Sequence, residues 1–206
     1  MTALARLEVD AVTLQRGARL LLGGLSLTVS PGESIAVTGS NGAGKTSLLR
    51  AIAGFIRPLS GDVRFIGEHG AMDAGAARRE HCHLIGHQDG LSVGRTAREE
   101  LVFAVEWTGG DTAAAIDVAR RLGLERALDL PVRHLSAGQR RRLVLARLIA
   151  APRTLWLLDE PLTPLDGDSR VIFGEMMRAH TAAGGMIVAA VHDPLPITAR
   201  TVTIDA

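Results

Sequence analysis

Residues 39–46 read Gly39-Ser40-Asn41-Gly42-Ala43-Gly44-Lys45-Thr46, with Ser47 following. The run fits GxxxxGK[ST], a phosphate-binding loop. Its glycines let the backbone wrap an anion. Successive backbone N–H groups and the N-terminus of the next helix aim positive partial charge at a β-phosphate. Lys45 adds a full charge for β and γ oxygens, and Thr46 offers a hydroxyl to Mg²⁺. Far along the chain, Leu155-Trp156-Leu157-Leu158 runs into Asp159-Glu160. Two acids at a strand end are often a solvated turn. Beside a phosphate loop they have separate tasks: Asp159 to hold Mg²⁺, directly or through water, and Glu160 to orient or deprotonate a water attacking the γ-phosphate.

These groups need elements to carry them. Ser34 to Gly39 is apolar and β-branched without clean alternation, which predicts a strand covered on both faces that feeds the glycine loop. From Lys45, KTSLLRAIAGF repeats its apolar positions at three and four and stops near Gly54, with Pro58 beyond, which predicts a helix. Before the loop, LARLEVDAVTLQ and GLSLTVS alternate with period two and end at Arg16-Gly17 and Ser30-Pro31-Gly32, an antiparallel opening. After it come short strands at GDVRFIG and around His83-Leu84-Ile85. Thr96 to Ala150 then has almost wholly helical periodicity. Thr154 to Pro161 is read as a buried strand, Asp168 to Ala183 as a helix, MIVAAVH as a second buried strand and TVTI as a terminal one.

Bulk properties narrow the setting. The 206 residues suffice for one sizeable core, and 47% hydrophobic with 22% charged residues is a globular composition. A formal net charge of +1 makes no electrostatic case for nucleic acid, so no nucleic-acid partner is expected. The single cysteine, Cys82, cannot form an intramolecular disulfide, and MTALARLEVD lacks the layout of a secretory signal; a cytoplasmic, reducing compartment is expected. The longest apolar stretches fall short of the roughly 20 residues of a membrane span, so membrane association must come through a partner. His81-Cys82-His83 with His87 invites a metal or haem reading. In an extended strand His81 and His83 face one side and Cys82 the other, a poor tetrahedral set, and there is no Cys-x-x-Cys-His attachment motif.

Leu135-Ser136-Ala137-Gly138-Gln139, ahead of a basic, apolar-striped helix and shortly before Asp159-Glu160, resembles the LSGGQ signature of the ATP-binding-cassette (ABC) family. A plain helix start, with Ser136 as N-cap and Arg140, Arg141 and Arg142 as a solvated face, would also produce this run. Gln88, Asp166 and His192 fall where the family places its Q-loop, D-loop and switch histidine. The resemblance implies an α/β fold: a RecA-like phosphate-loop core, an N-terminal antiparallel β subdomain and an inserted helical subdomain at about residues 90–150, with 1–206 one ATP-binding domain. It implies a head-to-tail homodimer, each copy offering Ser136, Gly138, Gln139 and Asp166 to the ATP held by the other. Gln88 would sense the γ-phosphate through Mg²⁺ or water, and His192 would stabilise charge developing on it. Most members stack an aromatic residue on adenine where Gln15-Arg16-Gly17 stands here, and this chain has no tyrosine. Arg16 is either that stacking group or a surface charge.

Nearly end to end, the chain resembles more narrowly the ATP-binding subunits of the bacterial haem exporter of cytochrome c maturation, the CcmA family. The carriers are Gly39 to Arg50, Ile85-Gly86-His87-Gln88, Leu135 to Gln139 with Arg141-Arg142, Ala146-Arg147-Leu148, Thr154-Leu155-Trp156 and the missing early aromatic. Glu100, where asparagine is usual, and Asp193, where glutamine is frequent, depart from the pattern. This implies two copies beneath integral membrane permease subunits, peripheral on the cytoplasmic face of the bacterial inner membrane, with ATP hydrolysis driving release of a haem-loaded chaperone. Two other readings stay open. One is the ATPase of another small ABC transporter, distinguished only by its partner. The other is a soluble ABC ATPase acting on ribosomes, DNA or iron–sulfur assembly, disfavoured by a single cassette without long insertions.

Overall fold

The computed structural model describes residues 3–151 and 153–204. Met1 and Thr2, at the head of the segment read for a secretory signal, lie outside them. The chain divides into two compact units: the described residues of Met1–Leu84, Arg153–Glu160 and Ala179–Ala206, and those of Ile85–Pro152 and Pro161–Arg178.

In the first unit the period-two segments form strands β1 (Leu4–Arg16) and β2 (Arg19–Val29), which pair antiparallel through a tight turn at Gly17. β2 begins earlier than GLSLTVS suggested, because Arg19-Leu20-Leu21-Leu22 pairs with the end of β1 despite lacking alternation. β1 also pairs with β4 (Ser60–Gly67), which carries the two-residue strand β5 (Gly70–Ala71). The second sheet runs β6-β7-β8-β3-β9: β6 is Cys82–Ile85, β7 Leu155–Asp159, β8 Met186–Ala190, β3 Ser34–Thr38 and β9 Arg200–Thr203. β7, β8, β3 and β9 are mutually parallel. Every residue of β7 and β8 is buried, which is why their sequences are continuous apolar runs rather than alternating ones. Helix α1 (Lys45–Ile52) buries Leu48, Leu49 and Ile52 in the core that Ile35, Val37, Leu155, Leu157, Val188 and Phe65 share.

Helix α2 (Ala74–His81) was not read from the sequence. Its N-cap is Asp73, whose carboxylate accepts from the Ala76 amide at 2.8 Å, and its eight residues are too few and too polar to show a periodicity. It overturns one geometric premise: His81 ends a helix and is buried, so the residues 81–83 are not one extended strand with alternating faces. Cys82 opens β6, and burial pushes its thiol up to about 12, far from the range of a reactive thiolate.

A ring stack joins β7 to the chain after Ala179. Trp156 and His180 lie 3.7 Å apart between centroids at an interplanar angle of 9°, and a side chain on Gly185 would overlap the imidazole. Burial lowers the His180 pKa below its ordinary value of 6.5. The unfolded chain therefore binds this proton more readily, so the stability contributed by the neutral ring is present above about pH 6.5 and drains away as pH falls toward the folded value. Melting temperature should drop between pH 7.5 and 5.5 by more in the wild type than in His180→Phe, which keeps an aromatic ring and removes the titration; parallel profiles would contradict this.

In the second unit α3 (Ala97–Trp107), α4 (Thr112–Arg121) and α5 (Ala137–Ala150) pack on one another, with short 3-10 turns at Glu125–Ala127 and Val132–His134. Thr96 with Glu99, and Ser136 with Gln139, form reciprocal capping boxes, the sequence-local device that starts α3 and α5 where they start. α6 (Gly167–Ala182) begins in this unit. Among the described residues no helix is long and apolar enough to cross a membrane.

Candidate active site

The first unit places the phosphate loop between β3 and α1. Gly39, Gly42 and Gly44 have φ of 141°, 84° and 106°, a region closed to most L residues. At Gly39 the requirement is also spatial, since a Cβ there would collide with the Ile204 carbonyl. Lys45 is buried, and its Nζ donates to the Gly39 and Ser40 carbonyls at 2.7 and 3.2 Å. The ammonium is thus folded over the loop mouth, where phosphate oxygens could replace two carbonyls as its acceptors.

Thr46 Oγ1 donates to both Asp159 oxygens at 3.0 Å. Asp159 is only 3% exposed at the end of β7, so a hydroxyl and a buried carboxylate share one point beneath the loop. Both are hard oxygen donors of the kind that suits Mg²⁺. Glu160 sits at φ 48°, a left-handed conformation that costs a non-glycine residue about 1–2 kcal/mol. Its amide donates to Ala190 O at 3.0 Å, which holds the turn. The Glu160 Oε1 lies 3.5 Å from His192 Nε2, with the histidine half exposed and the glutamate largely covered. Lys45, Thr46, Asp159, Glu160 and His192 therefore meet in one unit although up to 147 positions separate them in the chain.

Gln88, Ser136, Gly138, Gln139 and Asp166 lie in the second unit. Gln88 is exposed in the segment after β6. Ser136 Oγ accepts from the Gln139 amide at 3.1 Å, while Gln139 Oε1 accepts from the Ser136 amide at 2.8 Å. A Cβ on Gly138 would stand 3.1 Å from the Pro164 carbonyl, so this glycine permits a close backbone approach. Asp166 caps α6 through the Ser169 amide at 2.9 Å, and its bonds to Ser169 hold its carboxyl below the usual range.

Arg16 is exposed at the β1–β2 turn opposite Arg19. Arg19 Nη2 comes beside the phosphate loop, 3.9 Å from where a Cβ on Gly42 would be; nothing in its neighbours' types marked it. The arginine run is also not one solvated face. Arg141 is 2% exposed, whereas Arg140 and Arg142 reach the Leu135 and Leu122 carbonyls from partly exposed positions. Glu100 has a local explanation as well: it is buried between Arg95 at 3.1 Å and Arg147 at 3.7 Å, and an asparagine could not neutralise that pair.

Residues 22–163 match the ABC transporter family. The chain is 44% identical to the cytochrome c biogenesis ATP-binding export protein CcmA of Rhodopseudomonas palustris strain BisB5, over 93% of this chain and 94% of the relative. The chain belongs to the ABC transporter family, in its CcmA branch. The CcmA protein of Bradyrhizobium diazoefficiens is likewise 44% identical, over 92% of each chain. A bacterial ABC transporter cassette, MJ0796, solved as a dimer, superposes with a TM-score of 0.83 at 22% identity, covering 97% of this chain and 94% of that one, which shows the ABC cassette fold. This CcmA-branch cassette thus has the α/β architecture anticipated from its motifs, with one antiparallel and one mainly parallel sheet.

Proposed function

We propose that this chain hydrolyses ATP as the motor subunit of the export step in cytochrome c biogenesis, driving release of a haem-loaded chaperone. The observation that carries the ATPase reading is the convergence of Thr46 and Asp159 at 3.0 Å below a Lys45-capped glycine cradle. Names of relatives at 41–44% identity over nearly the whole chain support the export role.

In this reading Gly39 to Thr46 and Ser47 hold the β- and γ-phosphates through backbone amides and the Lys45 ammonium. Thr46 and Asp159 would hold Mg²⁺, which supplies neutralisation of charge on the β and γ oxygens. Glu160 takes a proton from the water attacking Pγ; a P–O bond forms to that water as the bond to the bridging oxygen breaks and ADP leaves. His192 stabilises charge on the γ-phosphoryl oxygens, and Gln88 reports their presence. Ser136, Gly138, Gln139 and Asp166 act on the nucleotide of a second copy, a reading supported by the dimeric form of the MJ0796 cassette. The two units work as one ATP-binding domain. Integral membrane permease subunits bind it at the cytoplasmic face of the inner membrane, and the exposed Val93, Phe103 and Trp107 of the helical unit supply apolar area for a partner.

The test is affinity purification of the Glu160→Gln form with ATP from detergent-solubilised membranes, identifying the proteins held and recording the haem absorbance band. Haem-handling membrane subunits are expected. A different permease without haem would replace the export role and leave the ATPase reading standing.

A further inference from the structure

Arg141 is among the largest fully buried side chains in the protein. A buried guanidinium is a poor choice where an apolar side chain would fill the space, so its acceptors carry the argument. Nη1 donates to the Gly86 carbonyl at 2.9 Å and lies 3.5 Å from Asp89 Oδ1, and Nε lies 3.3 Å from the Pro161 carbonyl. These partners belong to two separate segments: Gly86 and Asp89 flank Gln88, and Pro161 follows Glu160 in the chain. Two other α5 arginines hold Asp89: Arg140 Nε is 3.9 Å from Oδ2, and Arg147 Nη2 is 3.5 Å from its backbone oxygen. Burial lowers the Arg147 pKa, and Glu100 and Asp89 oppose that shift. Asp89 is thus met from three points on one helix, and Gln88 lies exposed within the clamped run.

α5 begins at the Ser136 cap, five residues before Arg141. One and a half turns of helix are too stiff to absorb a displacement between those points. We propose that Arg141 is a positioning residue that ties the Gln88 segment to the Ser136-Gly138 end of α5 and to Pro161, so that these three stretches of the helical unit shift as one body during the ATPase cycle. This rests on the reading of the chain as an ABC-type ATPase. Arg141 touches no substrate; it sets where Gln88 stands.

The test uses the full chain with its co-purified membrane partners, comparing wild type, Arg141→Met, Arg141→Lys and Lys45→Ala. Arg141→Met should keep KM for ATP within about threefold, because the phosphate loop is untouched, and lose kcat by on the order of tenfold to a hundredfold, as misplacement by about 1 Å does. Arg141→Lys retains a cation that can satisfy one of the acceptors and should recover part of that loss. Hydrogen exchange in Arg141→Met should quicken at 86–89 with no change at 39–46. The proposal is overturned if Arg141→Met keeps kcat within twofold, or if kcat, KM and melting temperature all deteriorate together and lysine gives no recovery, the pattern of a residue needed only for folding. If Lys45→Ala hydrolyses ATP at the wild-type rate, the ATPase reading itself has failed and this proposal with it.

Discussion

Lys45→Ala should lose ATP binding by about 10²–10⁴-fold, measured by titration with a fluorescent ATP analogue. The ammonium is already desolvated and positioned, donating to the Gly39 and Ser40 carbonyls, so nucleotide needs only to exchange those acceptors for phosphate oxygens. Two charge-assisted hydrogen bonds at about 1.5–3 kcal/mol each set that scale. The fold should survive, because alanine at the first position of α1 is a good helix former and leaves the Gly44 turn intact. Undiminished affinity in the folded variant would place the nucleotide elsewhere.

Glu160→Gln should bind ATP with near wild-type affinity and lose kcat by about 10²–10⁴-fold, the worth of a positioned general base. Glutamine keeps the shape of the side chain, and the turn is held by the Glu160 amide bond to Ala190 O, which the substitution does not touch. An ATP-stabilised dimer should therefore accumulate and appear on size exclusion. Turnover within a fewfold of wild type would mean that another group accepts the proton. Because Lys45→Ala acts on binding and Glu160→Gln on the chemical step, the pair separates the two halves of the site.

Much of the fold was legible where local pattern and tertiary role coincide. β7 and β8 read as strands because both faces are covered, and α5 starts at Ser136 because its cap is written in residues 136 and 139. Elements failed to show where the deciding partner is distant. α2 depends on one capping carboxylate rather than on an apolar stripe, and the first half of β2 is a strand because β1 lies beside it.

Residue type and order by themselves determined the chemistry available to this chain. A GxxxxGK[ST] run demands a backbone closed to most residues other than glycine, and the carboxylates at 159 and 160 stand at the end of a strand that must be buried; both are properties of the covalent chain. Only the tertiary structure decided which side chains share a point in space. It put Thr46 against Asp159 across 113 positions, brought Arg19 beside the loop, and buried Arg141 between two arginines that stay partly exposed. The physical reason is that adjacent arginines on a helix point about 100° apart. Their identical chemistry gives no sign of which faces inward, and packing against Gly86, Asp89 and Pro161 makes that choice.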